Sequence, residues 1–202
     1  STPGNPALSI LEGLTPYMDQ DFELVHGTTV STNAFLQKKM AKCAFLCTKG
    51  FEHILYIGRQ NRTGLFSLKV KKPSPIVPLS LCRGINERTL KEGTITLEPT
   101  QEEITRIGEE LKKRSVQSVG IVFLHAYKNP RNEKFTAKIL RDFGFYVTAS
   151  HEVMPEYREY ERGITTWLNA SVGPLVQGYL HRLCAGVPQA RVSVMQSAGG
   201  TI

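Results

Sequence analysis

The sequence has no long apolar run and no sign of a secretory leader. No segment approaches the roughly 20 consecutive apolar residues that a transmembrane helix needs. The first residues, STPGNP, contain neither the basic nor the apolar part of a signal peptide. We therefore expect a cytoplasmic protein with no membrane partner. The missing initiator methionine suggests that the chain has been trimmed.

Cysteine is also scarce, and its spacing carries no signal. The four cysteines are Cys43, Cys47, Cys82 and Cys184, and no two of them form a CxxC pair. A disulfide framework or a zinc site is therefore not indicated, and we expect buried free thiols. No metal site is assigned to any residue.

Charge gives only a weak indication of partners. The net charge is +7, but basic residues cluster only at 69–72 and 112–114. No aromatic residues are interleaved with these clusters, so we expect no nucleic-acid partner. The length of 202 residues and the hydrophobic content of 41% allow a substantial core.

Alternating helical and strand patterns dominate the middle of the chain. Residues 119–124 form a continuous apolar run, which is typical of a central parallel strand. A capping-box pattern at residues 100–103 starts a predicted helix that ends at Lys113 or Arg114. A second helix is predicted from Asn129-Pro130 to Asp142, followed by a strand at 145–148. The order of elements predicts an α/β sheet.

The remaining segments carry weaker patterns. Short strands at 81–83, 86–88 and 94–97 are predicted to be antiparallel or to extend a sheet edge. A long helix is predicted over residues 156–183, with a kink or a break at Gly173-Pro174. A strand at 191–196 leads into SAGG, so we expect the chain to stop within a fold.

The stretch from His26 to Asn33 has the composition of a strand-to-helix turn. A short strand ends near His26, and a helix is predicted to begin near Thr28 or Thr29. Threonine at this position is a common helix cap, while the same backbone donors can hold an anion. Both interpretations stay open on the pattern alone.

Other candidate residues lie at predicted strand ends and loops. His26, His125 and His151 are each predicted to lie at the carboxyl end of a strand, where open α/β sheets bind ligands. Arg59 and Arg62 flank two amides in a polar loop, a donor set that suits carboxylate, phosphate or imide oxygens. Either arginine could equally form a surface ion pair.

The sequence resembles the hydantoinase A/5-oxoprolinase family, which includes N-methylhydantoinase A and the acetone carboxylase β-type subunits. The segments that carry this resemblance occur in the family's order and span nearly the whole chain. They are HGTTVSTNAFL, TKGF, IGRQNR, FLHAYKNPRNE, SHEVMPEYREYERGITTWLNASVGP and MQSAGG. Together they are specific, although each is weak alone.

The resemblance implies an α/β fold that forms part of an actin-like ATPase lobe, ribonuclease-H-like, with a mixed sheet flanked by helices. It also implies an ATP- and Mg²⁺-dependent hydrolase that phosphorylates the oxygen of a cyclic amide so that water can open the ring. The expected partners are a small cyclic-amide substrate and a hydantoinase B-type subunit or domain, and we expect an oligomer.

The sequence departs from the family pattern at both ends. The acidic phosphate loop of the DxGGTFTD type, which precedes STPxxP, and a second glycine-rich loop after MQSxGG are both missing. We therefore expect residues 1–152 to be an incomplete N-terminal domain and residues 153–202 to be the truncated start of the next. The isolated chain is expected neither to hydrolyse ATP nor to open a lactam.

The resemblance suggests roles for eight residues. They are His26, Thr28 and Thr29 as catalytic residues, Arg59, Gln60 and Asn33 in substrate binding, and Glu159 and Arg162 at an inter-lobe cleft. Two other functions stay open: an ATP-using subunit of an acetone-type ketone carboxylase, and a non-catalytic regulatory or assembly domain.

Overall fold

A computed structural model describes residues 6–61, 74–195 and 200–201 of the chain. It divides the chain into two compact units. The larger unit is Ala41–Ser171, and the smaller unit combines Ser1–Met40 with Val172–Ile202. The predicted boundary of the family domains, between residues 152 and 153, stays a prediction.

Helices and strands alternate along most of the described chain. The helices are α1 (Pro6–Leu14), α2 (Val30–Leu36), α3 (Ile54–Ile57), α4 (Gln101–Lys113), α5 (Arg131–Asp142), α6 (Ser150–Val153) and α7 (Glu159–Gly186). The strands are β1 (Glu23–His26), β2 (Cys43–Thr48), β3 (Cys82–Ile85), β4 (Arg88–Thr89), β5 (Ile95–Leu97), β6 (Ser118–Val122), β7 (Tyr146–Ala149) and β8 (Arg191–Val194). Short 3₁₀ turns cover Thr15–Tyr17 and Leu79–Leu81.

The larger unit is built on a four-stranded parallel sheet in the order β3-β2-β6-β7. Phe45 of β2 lies opposite Cys82 on one side and Gly120 on the other. The prediction of an α/β fold is confirmed, but the expected mixed sheet is wrong for this unit. Helices or long connections join its strands and bring the chain back to the same end of the sheet each time. Neighbouring strands therefore run in the same direction, and every pair is parallel.

The core of the larger unit follows from the apolar runs of its central strands. Every residue of β2 and β6 is buried. Helices α4 and α5 add the buried side chains of Ile104, Leu111 and Leu140. A strand that is buried on both faces has a continuous apolar sequence rather than an alternation of apolar and polar residues. The prediction of a central parallel strand near residues 119–124 is confirmed, because β6 is buried and pairs in parallel with β2 and β7.

The segment before α4 contains both predicted arrangements, an extension of a sheet edge and an antiparallel pair of strands. Strand β3 pairs in parallel with β2 and extends the edge of the main sheet. Strands β4 and β5 instead form a separate antiparallel pair. Arg62 and the basic cluster at residues 69–72 lie outside the described residues.

Thr100 caps the amino end of α4, as the capping-box pattern predicts. Its hydroxyl oxygen accepts a hydrogen bond from the backbone N–H of Glu103 at 3.2 Å. The Glu103 carboxylate accepts from the backbone N–H of Asn86 at 3.2 Å and from its side-chain amide at 2.7 Å. Glu103, in the first turn of α4, therefore ties the helix to the end of β3.

The smaller unit contains a two-stranded parallel sheet formed by β1 and β8, with His26 opposite Val194. The sequence predicts a kink or a break at Gly173-Pro174. The break is wrong, because α7 runs through Pro174, and the kink stays a prediction. Proline removes one backbone donor, and packing along a 28-residue helix outweighs that loss.

The expected burial of the cysteines is only partly correct. Cys43, Cys47 and Cys82 are buried free thiols, but Cys184 is exposed, so the expectation of burial is wrong for Cys184.

Within residues 6–61, 74–195 and 200–201, no helix combines the length and apolar composition needed to cross a membrane.

Candidate functional site

The end of β1 and the turn after it carry the three predicted catalytic residues, His26, Thr28 and Thr29. β1 ends at His26, and α2 begins at Val30, slightly later than the sequence predicts. Thr28 accepts a hydrogen bond from the Val30 N–H at 3.2 Å, while Thr29, at the N-cap position, makes no side-chain cap. A helix of only seven residues is also a poor anion site. The structure therefore gives no support to the phosphate interpretation of this turn.

Tyr179 completes a polar cluster at this turn. Its hydroxyl oxygen lies 2.5 Å from Nε2 of His26, and the two ring centroids are 5.7 Å apart. The Thr28 side chain lies near the Tyr179 hydroxyl. The backbone carbonyl of His26 accepts from the N–H of Met195 at 2.9 Å. The His26 ring is thus held by α7 and its backbone by the segment after β8.

Burial sets the charge state of this cluster. It lowers the pKa of His26 from its ordinary value of 6.5, because the charged imidazolium loses hydration. Burial also raises the pKa of Tyr179, while the nearby Thr28 side chain acts in the opposite direction. Both shifts favour the uncharged forms of the two rings at neutral pH.

Sequence patterns place Tyr179 in the apolar stripe of α7, so its contact with His26 is not predicted. The side chain is 2% exposed, like a core residue. The hydroxyl group is the one sequence feature that could have indicated this contact, because a buried tyrosine O–H usually forms a hydrogen bond with a polar partner.

Thr29 and Asn33 lie close to this cluster in sequence, and both are exposed. The Asn33 side-chain amide donates a hydrogen bond to the Thr29 hydroxyl oxygen at 3.2 Å.

Arg59 and Gln60 belong to the larger unit and are exposed there. The Arg59 Nε lies 2.9 Å from Oε1 of Glu161, and its guanidinium lies 5.9 Å from the centroid of the Tyr160 ring. Gln60 has a left-handed backbone, with φ of 57°. The surface ion pair that the sequence left open is therefore formed, and substrate binding by these residues stays a prediction.

The expected position of Arg162 is corrected by the structure. Its side chain is completely buried in the larger unit, so it does not face a cleft. The guanidinium donates to the backbone oxygens of Glu156 at 2.8 Å and Phe123 at 2.9 Å, and lies 5.3 Å from the centroid of the Tyr127 ring. Arg162 therefore anchors the start of α7 to the end of β6. Sequence patterning misses this because an arginine in a charged first turn normally faces water.

Glu159 lines a small cavity in the same unit. The other lining residues are mostly apolar and include Phe45, Phe51 and Leu124. The cavity offers only about 10 Å³, which is roughly the room that one water molecule needs. A ring the size of a lactam does not fit this cavity.

Two buried glutamates that the sequence did not single out lie beyond the ends of the parallel strands. Glu87 accepts hydrogen bonds from the Thr48 hydroxyl and from the Asn132 amide, the latter at 2.9 Å. Glu133 accepts from the Phe123 N–H at 2.8 Å and from the Ser150 hydroxyl at 2.6 Å. These bonds satisfy both carboxylates, so the edge of the sheet is closed by a polar network rather than left as an open pocket.

The three histidines at predicted strand ends do not share one sheet. His26 ends β1 in the smaller unit, while His125 and His151 follow β6 and β7 in the larger one. Nδ1 of His125 lies 2.9 Å from the Thr89 carbonyl oxygen, and Nδ1 of His151 lies 2.7 Å from a Glu133 oxygen. Over the part of the chain that the structure describes, no group of three or more histidine, cysteine, aspartate or glutamate side chains is placed to hold a metal ion.

Comparisons with known proteins agree with the sequence resemblance. A family model described as the hydantoinase/oxoprolinase N-terminal region matches residues 1–144. The 5-oxoprolinase of Saccharomyces cerevisiae is 30% identical over 87% of this chain. The caprolactamase subunit alpha of Pseudomonas jessenii is 30% identical over 92% of this chain. The chain spans 16% of the first of these relatives and 29% of the second.

Solved structures show the same relationship. The ATP-dependent caprolactamase of Pseudomonas jessenii covers the whole of this chain with a TM-score of 0.83 and 29% identity. A nucleotide-free acetone carboxylase also covers the whole chain, with a TM-score of 0.79 and 25% identity. In both cases this chain corresponds to 32% of the solved chain.

Proposed function

This chain belongs to the hydantoinase/oxoprolinase family, and we propose that it is one region of an ATP-dependent enzyme that opens a cyclic amide by hydrolysis. The actin-like, ribonuclease-H-like lobe is part of this proposal and rests on the family resemblance, since the all-parallel sheet of the larger unit supports an α/β region but not the mixed sheet expected of that lobe. The names of its relatives, 5-oxoprolinase and caprolactamase, favour a lactam or a related ring as the substrate class.

The structural observation that carries the proposal is the His26 cluster. His26 is the last residue of β1 and precedes a turn of small hydroxyl residues, and the residue is only partly exposed. The lowered pKa of His26 favours the neutral ring, which is hydrogen-bonded to Tyr179. Neutral donors and acceptors of this kind suit the amide group of a lactam, which carries one N–H and one carbonyl oxygen.

The described residues do not fit ATP and Mg²⁺. The short helix α2 offers no phosphate site, and the buried carboxylates of Glu87 and Glu133 already accept hydrogen bonds from protein groups. We therefore assign no contact with the nucleotide or the metal ion to these residues. We assign the nucleotide site to other regions of the full-length enzyme.

We give the predicted residues different roles in this enzyme. His26, Thr28 and Thr29, with Asn33, form one wall of the substrate site. Arg59 and Gln60 are available for oxygen recognition because both are exposed. Arg162 is removed from the site because it is buried. A second subunit of hydantoinase B type is a further part of the proposal, since a relative is named as a subunit alpha.

A ketone carboxylase subunit is the second candidate, because the acetone carboxylase structure matches the whole chain. Its TM-score and identity are both lower than those of the caprolactamase. The two candidates use different co-substrates, water in one case and bicarbonate in the other. They are therefore separable by a substrate panel.

The test is ATP turnover by this chain extended at both ends to the length of its relatives, with its partner subunit present. We expect 5-oxoproline, a hydantoin or caprolactam to stimulate ADP release together with ring opening. The 202-residue chain alone should show no turnover. Stimulation only by acetone with bicarbonate would favour the carboxylase, and no stimulation by any compound would favour the regulatory or assembly role.

A further inference from the structure

The Tyr179 hydroxyl and the His26 ring of the smaller unit share one hydrogen bond, with 2.5 Å between the hydroxyl oxygen and Nε2 of His26. The Thr28 side chain lies near the Tyr179 hydroxyl, and its own oxygen accepts from the Val30 N–H at 3.2 Å. The Tyr179 hydroxyl has one proton to donate, so the direction of its bond to His26 decides which ring nitrogen of His26 carries hydrogen.

The chemistry of the pair favours donation from Tyr179 to His26. A phenol is a stronger acid than a neutral imidazole N–H, and an imidazole nitrogen is a better acceptor than a phenol oxygen. The separation of 2.5 Å also suits an O–H donor, since N–H donors usually lie about 2.9 to 3.0 Å from their acceptors. With the phenol as donor, Nε2 of His26 accepts, and the proton of the neutral ring lies on Nδ1.

We infer that Tyr179 is a positioning residue that holds His26 in the Nδ1–H tautomer, so that His26 donates a hydrogen bond to the substrate's carbonyl oxygen. With its Nε2 lone pair occupied by the tyrosine proton, His26 is not the general base. This inference rests on the proposed function and defines how one residue of that site acts. Negative charge builds on the carbonyl oxygen when a lactam is attacked, and a fixed N–H donor stabilises that charge.

The tautomer can be measured without any activity. In the 202-residue chain labelled with ¹⁵N at histidine, we expect the His26 signals at neutral pH to show a protonated Nδ1 and an unprotonated Nε2. Tyr179→Phe removes the proton donor and should release His26 into a mixture of tautomers. Tyr17→Phe changes an exposed tyrosine of the same unit and should leave the His26 signals unchanged. A protonated Nε2 in the unaltered chain would overturn the inference.

The role as a donor is tested in the extended, active enzyme. The side-chain amide of asparagine places an N–H close to the position of the histidine Nδ1, but it cannot act as a base. We therefore expect His26→Asn to retain at least tenfold more turnover than His26→Ala. Tyr179→Phe should lower kcat by about 10- to 100-fold, as is usual when a group that orients a reacting residue is removed. Tyr17→Phe should have no effect.

The outcomes separate the inference from the proposed function. Equal loss in His26→Asn and His26→Ala would contradict the donor role even if the NMR result agrees with the tautomer. Full activity of Tyr179→Phe would show that Tyr179 does not position His26. If the unaltered enzyme turns over no cyclic amide, the proposed function fails, and the NMR measurement still decides whether Tyr179 sets the tautomer.

Discussion

Glu133 and His151 are joined by two hydrogen bonds to the same carboxylate oxygen. The backbone N–H of His151 lies 3.0 Å from Oε2 of Glu133, and Nδ1 of the same residue lies 2.7 Å from it. The other carboxylate oxygen accepts from Phe123 and Ser150. One buried side chain of α5 therefore binds the end of β6 to the start of α6.

This arrangement predicts a large loss of stability in Glu133→Gln. The glutamine amide replaces an oxygen that accepts hydrogen bonds with a group that donates, so buried donors lose their partner. We expect the free energy of unfolding to fall by about 2 kcal/mol or more, measured by urea denaturation of the chain. Glu109→Gln, at an exposed position of α4, should change it by less than about 0.5 kcal/mol. Similar small effects of both substitutions would contradict the structural role of Glu133.

Glu87 should make stability depend on pH. Burial raises the pKa of its carboxyl above the ordinary value of 4.5, while hydrogen bonds from Thr48 and Asn132 act in the opposite direction. A raised pKa means that the folded state holds the proton more tightly than the unfolded state. The stabilising contribution of Glu87 is therefore fully present below about pH 4.5 and is lost as pH rises through the folded pKa.

The measurement compares the chain with Glu87→Gln by urea denaturation across this pH range. The difference in the free energy of unfolding, original minus variant, should decrease as the pH rises from about 4.5. Using the difference removes the opposite contributions of other carboxyls, such as Glu110 and Glu152, whose pKa values are lowered. A difference that grows with pH would show that burial does not control this carboxyl.

The thiols should differ sharply in reactivity. Burial raises the pKa of Cys43 to about 12 and that of Cys82 to about 11, and it also raises the pKa of Cys47. Cys184 is exposed on α7. A disulfide reagent such as DTNB should therefore modify about one thiol per native chain and all of them in denaturant. Cys184→Ser should abolish the native reaction, and a remaining rapid reaction would place another thiol at the surface.

Sequence patterns predicted much of the larger unit because its elements follow from local chemistry. The buried run around Ile121 and the Thr100 cap are set by neighbours in sequence, and both are formed. The direction of β3 could not be predicted in this way. Its parallel pairing with β2 depends on how the chain returns to the sheet, which a short pattern of apolar residues does not record.

The candidate site was predictable only in part for a related reason. The turn at His26 was recognisable from its glycine and hydroxyl residues, but its partner Tyr179 lies 153 positions away in sequence. Glu133 was not singled out and Arg162 was predicted to face a cleft, although both side chains are fully buried. Buried polar groups require partners from distant segments, and those partners become visible only in the fold.

The central claim is that the His26 cluster belongs to the substrate site of a cyclic-amide hydrolase. The most direct test compares His26→Ala with His181→Ala, an exposed histidine of the same unit, in the extended enzyme. Lactam-stimulated ADP release and the free energy of unfolding are measured for both variants. We predict that His26→Ala lowers turnover at least 100-fold with a change in stability of less than about 1.5 kcal/mol, while His181→Ala changes neither. Unchanged turnover in His26→Ala, or a loss of activity that only follows unfolding, would contradict the account.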